Sequence, residues 1–262
     1  MTQTPLPSFT WAVASDPGLR RSSNEDSYRV RPDIGLFIVA DGMGGHVAGE
    51  VASRIAVEAS EAFIEETAGA DKNRTWPFPF EPSISLEANR LKAAFRLANR
   101  RIAAAIADEQ ELRGMATTAS AMLAGTRTAC VAHVGDSRVY VLRGTALSQL
   151  THDHSWVEEQ VRAGTMSPSA ARQHPWRNVV TRALSGGDDP EVDTQDIEPK
   201  PGERYLLCSD GLFTAINDQQ IAAILSDRKG SLQDICQRLV EAANAAGGPD
   251  NITALVLQVD AP

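Results

Sequence analysis

Five aspartates stand at the ends of apolar runs, several beside glycines, and any chemistry in this chain starts from them. Glu25-Asp26 enter a short strand-like segment at residues 27–30. Asp41 closes the apolar run IGLFIVA. Asp136 closes residues 130–135, Asp210 closes residues 206–209, and Asp250-Asn251 lead into the last apolar run, residues 252–259. A strand end fixes a side chain while its tip reaches a cleft. Aspartate is also common in ordinary turns, but turn chemistry does not account for so many in one placement. The sharpest local feature is Asp41-Gly42-Met43-Gly44-Gly45-His46. Its glycines permit close backbone approach, and a carboxylate followed by a glycine carbonyl offers two oxygens to a hard cation. Asp210-Gly211 repeats the device. A phosphate-cradling loop is the competing reading, but neither GxxxxGK[ST] nor GxGxxG occurs.

Oxygen ligands suit Mg²⁺ or Mn²⁺ rather than zinc, which prefers Cys and His. Two such ions roughly 3.5–4 Å apart can activate water and clamp an in-line displacement. Phosphate-ester cleavage needs that combination most, because positioning and charge neutralisation carry its catalysis. Arg20 and Arg21, just before Asn24-Glu25-Asp26, are candidates for bidentate phosphate capture, although an Arg pair is often only a solvated face. His152-Asp153-His154 resembles a metal-binding tripeptide, and a structural role is favoured for it.

These residues need rigid elements to hold them. Residues 9–14 and 34–40 read as strands, the second fully buried. Val51, Ile55, Ala59 and Phe63 share one helical face, as do Leu91, Phe95, Ala98, Ile102 and Ile106. Strand-like segments follow at residues 117–123, 128–134, 138–142 and 146–149, with turns at Gly125-Thr126 and Arg143-Gly144. Residues 155–187 lose periodicity and contain Gly164, Pro168, Pro175 and Gly186-Gly187. They read as short helices on a mobile flap. A strand at residues 204–208, a helix capped by Ser231 with Asp234, and a final strand at residues 252–259 complete the order. The expected class is α+β with mainly antiparallel sheet covered by helices.

Bulk properties narrow the function. The chain has 262 residues, 42% hydrophobic, and a formal net charge of −9. That balance argues against nucleic acid or an anionic membrane as the main partner. Cys130, Cys208 and Cys236 are odd in number and lack metal-ligand spacing, so buried reduced thiols are expected. Neither a signal peptide nor a membrane span is recognisable, and a soluble cytoplasmic protein is expected. Residues 1–8 read as a disordered lead and residues 9–262 as one domain.

Six motifs occur in order: Arg21-x-x-x-Glu25-Asp26, Asp41-Gly42-x-Gly44-Gly45, Met115-Ala116-Thr117-Thr118-Ala119, Gly135-Asp136-Ser137-Arg138, Ser209-Asp210-Gly211 and Gly248-Pro249-Asp250-Asn251. Together they resemble the type 2C metal-dependent Ser/Thr protein phosphatases (PPM), particularly the bacterial single-domain type. The resemblance implies a four-layer α/β/β/α sandwich of two antiparallel sheets flanked by helices, with a dinuclear Mn²⁺ or Mg²⁺ centre and room for a third ion. It implies that Asp41 bridges two ions, with the Gly42 carbonyl on one, and that Asp210 and Asp250 complete the other shell. Glu25 and Asp26 would act through metal-bound waters, Asp136 and Asp210 at the third ion, and Arg21 on the substrate phosphate. Asn251 would position Asp250 or phosphate. Metal-activated water would attack phosphorus directly, with no phosphoenzyme. Substrates would be phosphoserine and phosphothreonine proteins supplied by a Ser/Thr kinase, and a monomer is expected. Met43 stands where animal members carry a histidine, so the leaving alkoxide would take its proton from metal-bound water or another group, with His46, His152 and His154 as candidates. Two other readings are a non-catalytic binding module, which would have lost metal aspartates, and a hydrolase of small phosphoesters.

Overall fold

Period-two alternation along the strands separates three apolar layers, and the same alternation aims the carboxylates. The computed structural model describes residues 8–44, 47–69, 73–126 and 128–261. The expected disordered lead, apart from Ser8, and the candidate proton donor His46 with Gly45 lie outside the described residues.

One sheet has the order β1 (Phe9–Asp16), β11 (Ile252–Val259), β10 (Arg204–Cys208), β7 (Arg138–Arg143) and β8 (Ala146–Gln149). The other runs β2 (Asp26–Arg31), β3 (Leu36–Met43), β5 (Ala119–Ala124), β6 (Ala129–Val134) and β9 (Asp193–Ile197), with the two-residue β4 (Ala116–Thr117) also pairing with β3. All pairings between these strands are antiparallel. The chain passes from one sheet to the other through the turn at Gly135-Asp136-Ser137, between β6 and β7.

Along β3, Phe37 and Val39 face the other sheet, where they meet Val139, Val141, Tyr205, Leu207, Leu255 and Leu257. Leu36, Ile38 and Ala40 face the opposite way, onto α1 (Val47–Glu66) and α2 (Leu86–Asp108). The first sheet's outer face carries α5 (Asp210–Phe213), α6 (Asp218–Leu225) and α7 (Leu232–Ala245), against Tyr140, Leu142, Leu206 and Cys208. The result is the expected helix, sheet, sheet, helix stack. Burial of the two sheets on each other supplies the hydrophobic driving force between them.

Local signals match their sequence reading where they are strong. Ser231 and Asp234 form the expected capping box of α7. Asp41 does not end its strand: β3 continues through Gly42 and Met43 by pairing with β4. Strand β9 had no sequence signal, because DTQDI is polar and lies at a sheet edge, where only one neighbour demands apolar side chains. Residues 155–187 contain α3 (Trp156–Arg162) and α4 (Pro168–Gln173), tied at their base by a bridge between Ser155 and Val180. Among the described residues no helix is long and apolar enough to cross a membrane.

Candidate metal centre

The inter-sheet face of each strand runs out of apolar residues at the same end of the sandwich, and polar residues take over there. On β3 the residue after Phe37 and Val39 is Asp41; on β2 the residue before Val30 and Tyr28 is Asp26. Asp26 and Asp41 are direct cross-strand partners. The facing sheet ends in hydroxyls of the same parity: Ser15, Thr253, Ser209 and Ser137. Asp26 Oδ2 accepts hydrogen bonds from Ser209 Oγ and Thr253 Oγ1, each at 2.6 Å, and so ties the two sheets together. Asp26 Oδ1 is buried without a hydrogen-bond partner, a costly state for a carboxylate oxygen.

The remaining acids converge on the same gap. Asp210 begins α5 directly after β10, with Ser209 in the N-cap position. Asp136 lies on the crossover turn and is buried. Asp250 precedes β11 and accepts from Arg21 Nη2 at 2.7 Å. Arg21, Asp41, Asp136, Asp210 and Asp250 all line one cleft of about 270 Å³, along with Asn178 and Val180 from the segment after α4. Gly42 also lines it, and a side chain there would collide with the carbonyl oxygens of Gly49 and Glu25. The Glu25 carboxylate lies against Gly49 in the first turn of α1, where a β-carbon would overlap it. A helix N-terminus favours an acid in that place.

Electrostatics mark the cluster as unsatisfied by the protein alone. Burial and the Asp26, Asp210 and Asp136 charges hold the Asp41 carboxyl well above the usual carboxylate range. Burial, opposed by the Ser209 and Thr253 hydroxyls, pushes Asp26 up to about 7. Burial and the Asp210 charge push Asp136 to about 8. Asp210 rises to about 6 through burial and Asp250, eased by Arg21 and by a hydrogen bond with Asp41. Buried like charges with few cations nearby call for a bound cation. The donors are all oxygens, as Mn²⁺ and Mg²⁺ prefer. The residues present therefore fit a divalent cation centre, and the unpartnered Asp26 Oδ1 beside them marks a polar atom that the protein alone does not satisfy.

The structure gives two candidates a more specific setting than their spacing indicated. Asn251 is 4% exposed and its amide is committed: Oδ1 accepts from the Glu25 backbone N–H at 2.8 Å, and Nδ2 donates to the carbonyls of Pro17 and Ser23. It pins the loop that carries Arg21 and Glu25. Arg21 is 51% exposed and spends one nitrogen on Asp250, leaving other donors at the cleft rim.

His152 and His154 do not share a face: the first is exposed, the second buried. His133, His154 and Asp193 bring possible ligand atoms within 4.8 Å of one another. Hydrogen bonding argues against a cation there. His154 Nδ1 accepts from the Gly135 N–H at 3.1 Å, so its Nε2 carries the hydrogen, and the Arg182 guanidinium lies 3.4 Å from that nitrogen. Burial lowers both histidines, His133 to about 4. The group is a neutral stacked pair joining the crossover turn to the segment after α4.

Thr117, Thr118, Ser137 and Ser209 stand in the sequence motifs with no role assigned to their hydroxyls, and Thr253 stands in none. Their signal was parity: Ser137, Ser209 and Thr253 each lie two residues beyond an inward apolar residue of a strand.

The chain is similar to known protein phosphatases. A family model described as Protein phosphatase 2C matches residues 20–255. The serine/threonine protein phosphatase PstP of Mycobacterium tuberculosis is 39% identical over 95% of this chain, and the chain spans 45% of that relative's length. The serine/threonine phosphatase stp of Listeria monocytogenes is 36% identical, with 94% of each chain covered. The solved catalytic domain of PstP in complex with 2 manganese ions superposes with a TM-score of 0.80 at 37% identity, covering 97% of this chain and 99% of that one.

A raised carboxyl pKa stabilises the folded, metal-free protein while the group is protonated, and that contribution is lost as pH rises through the folded pKa. For Asp210, Asp26 and Asp136 the loss begins near the unfolded carboxyl pKa of about 4 and is complete above folded values of about 6, about 7 and about 8. Cations bind the deprotonated acids, so the Mn²⁺-induced rise in Tm should be small at about pH 5.5 and larger at about pH 8. Calorimetric melting with and without Mn²⁺ checks this; a shift independent of pH would contradict it.

Proposed function

The chain belongs to the protein phosphatase 2C family, and on that premise we propose that it hydrolyses phosphoserine and phosphothreonine in proteins with the help of Mn²⁺ or Mg²⁺. The observation that carries this reading is the cleft itself, in which Asp41, Asp136, Asp210 and Asp250 converge under one rim arginine. Bound divalent cations would neutralise phosphate charge and acidify water. In this reading two ions are held by Asp41, the Gly42 carbonyl, Asp210 and Asp250. Glu25 and Asp26 act through ordered water, and Asp136 and Asp210 hold a third ion. Arg21 orients the substrate phosphate from the rim, and Asn251 fixes the loop that presents it. Met43 lines the cleft and offers no proton, so the leaving alkoxide takes its proton from water or from a group other than this side chain.

Residues 155–187 act as the recognition flap in this proposal. Asn178 and Val180 line the cleft, while Trp156, His174 and Trp176 form an aromatic cluster with Trp176 54% exposed. Exposed aromatics beside a cleft suit peptide contact. The partner this chemistry requires is a Ser/Thr protein kinase that makes the phosphorylated substrate. We place the pair in the cytoplasm, with the phosphatase a monomer.

Purified protein should release phosphate from phosphothreonine peptides with Mn²⁺ and lose that activity in EDTA. Metal-independent turnover would sink the proposal, and nucleotides hydrolysed far better than peptides would favour a small-phosphoester hydrolase. Asp41→Asn should cut kcat/KM by more than about a hundredfold, since it removes a charge that holds cations. Arg21→Ala should raise KM by about tenfold with kcat less affected; a loss confined to kcat would speak against phosphate capture. Trp176→Ala should weaken turnover of peptides and leave p-nitrophenyl phosphate unchanged, and equal losses on both would remove the flap from recognition.

A further inference from the structure

We propose that Thr118 is a positioning residue for the cation centre: its hydroxyl locks the backbone of Asp41 to the turn that carries Asp136. The inference rests on the cation-dependent reading above and adds a residue to it. Val39 pairs with Ser120 and Gly42 with Thr117, so Asp41 falls opposite Thr118 where the ladder passes from β5 to β4. The opposite neighbour of Asp41 is Asp26. On its far side Thr118 falls opposite Gly135, one step beyond the pairing of Ala119 with Val134. Asp26, Asp41, Thr118 and Gly135 thus form one row across four strands.

Thr118 is fully buried and its polar atoms face both neighbours. Its Oγ1 accepts from the Asp41 N–H at 3.1 Å and shares a hydrogen bond of 2.7 Å with Ser137 Oγ. Its own N–H donates to the Asp41 carbonyl at 2.9 Å, a carbonyl that also accepts from Thr117 Oγ1 at 2.8 Å. Backbone groups on both sides of the Asp41 α-carbon are therefore held by this threonine pair. The crossover turn is pressed onto the same side chain. Gly135 has φ of 105°, and a β-carbon there would lie 2.6 Å from Thr118 Cβ. Ser120 Oγ donates to the Ser137 carbonyl at 2.6 Å and anchors the turn a second time, without touching Asp41. The Thr118 hydroxyl thus links the backbone of Asp41 to Ser137, the neighbour of Asp136 on the crossover turn. Without it, the Asp41 N–H and the buried Ser137 hydroxyl lose a partner, and the bonds that tie the Asp41 backbone to the turn carrying Asp136 are broken.

The test titrates Mn²⁺ into the metal-free full chain by calorimetry, with Thr118→Val, Thr118→Ser and Ser137→Ala beside the wild type. Valine keeps the shape and removes the hydroxyl, and it should weaken Mn²⁺ binding by about ten- to a hundredfold. Serine keeps the hydroxyl and loses the methyl packed on Gly135. It should bind Mn²⁺ within about twofold of wild type even where its metal-free Tm falls. A role in fold stability alone would make affinity follow Tm rather than the hydroxyl. Valine binding as tightly as wild type, or serine as weakly as valine, would overturn the proposal. If the valine variant does not fold, Ser137→Ala decides: affinity several-fold weaker supports the link, and unchanged affinity overturns it. A wild-type chain that binds no Mn²⁺ would instead remove the cation reading on which the inference rests.

Discussion

Like-charged carboxylates packed between two sheets are the constraint around which this fold is arranged. Asp26, Asp41, Asp136 and Asp210 all have raised proton affinities, and burial is the largest cause for each. Once ionised, such a group costs the folded protein stability unless a cation pairs with it. The surrounding contacts therefore serve to hold the acids together against repulsion until a cation relieves it. The bonds from Ser209 and Thr253 to Asp26 are the clearest case, because they join the two sheets beside Asp41.

The sandwich provides the precision. Strand alternation that puts Phe37 and Val39 into the inter-sheet core puts Asp41 on the same face one step later. Likewise Tyr205 and Leu207 lead to Ser209, and Leu255 and Leu257 lead back to Thr253. The site is the apolar core continued into polar residues, with no break in register. Shifting any of these strands by one residue would turn its site residue toward the helices. Stability of the sheet interface and geometry of the site are thus one property, which is the arrangement expected of a preorganised centre.

How much of this was legible in the sequence depended on how local the signal was. The apolar run before Asp41, the two long amphipathic helices and the capping box at Ser231 are local patterns, and the structure has them. The convergence of acids from residues 26 to 250 rests on tertiary pairing. It could be expected from ordered motifs but not from any one segment. The edge strand β9 was invisible because its residues are polar. Thr117, Thr118 and Ser209 stood in the motifs, but their bonds to Asp41 and Asp26 were not legible, because the partner of a Ser or Thr at a strand end is set by the facing strand. Asn251 shows both sides of this limit: the resemblance implied that it positions Asp250 or phosphate, and its backbone N–H does donate to Asp250 Oδ1 at 2.8 Å, but nothing in the sequence showed that its amide is spent on Glu25, Pro17 and Ser23.

The account stands or falls on where a cation goes. Anomalous X-ray scattering from crystals grown with Mn²⁺ measures that directly. The expected result is manganese between the sheet ends, in contact with Asp41, Asp210 and Asp250. Manganese bound elsewhere on the chain, for instance at His133 and His154, with none touching Asp41, would contradict the account.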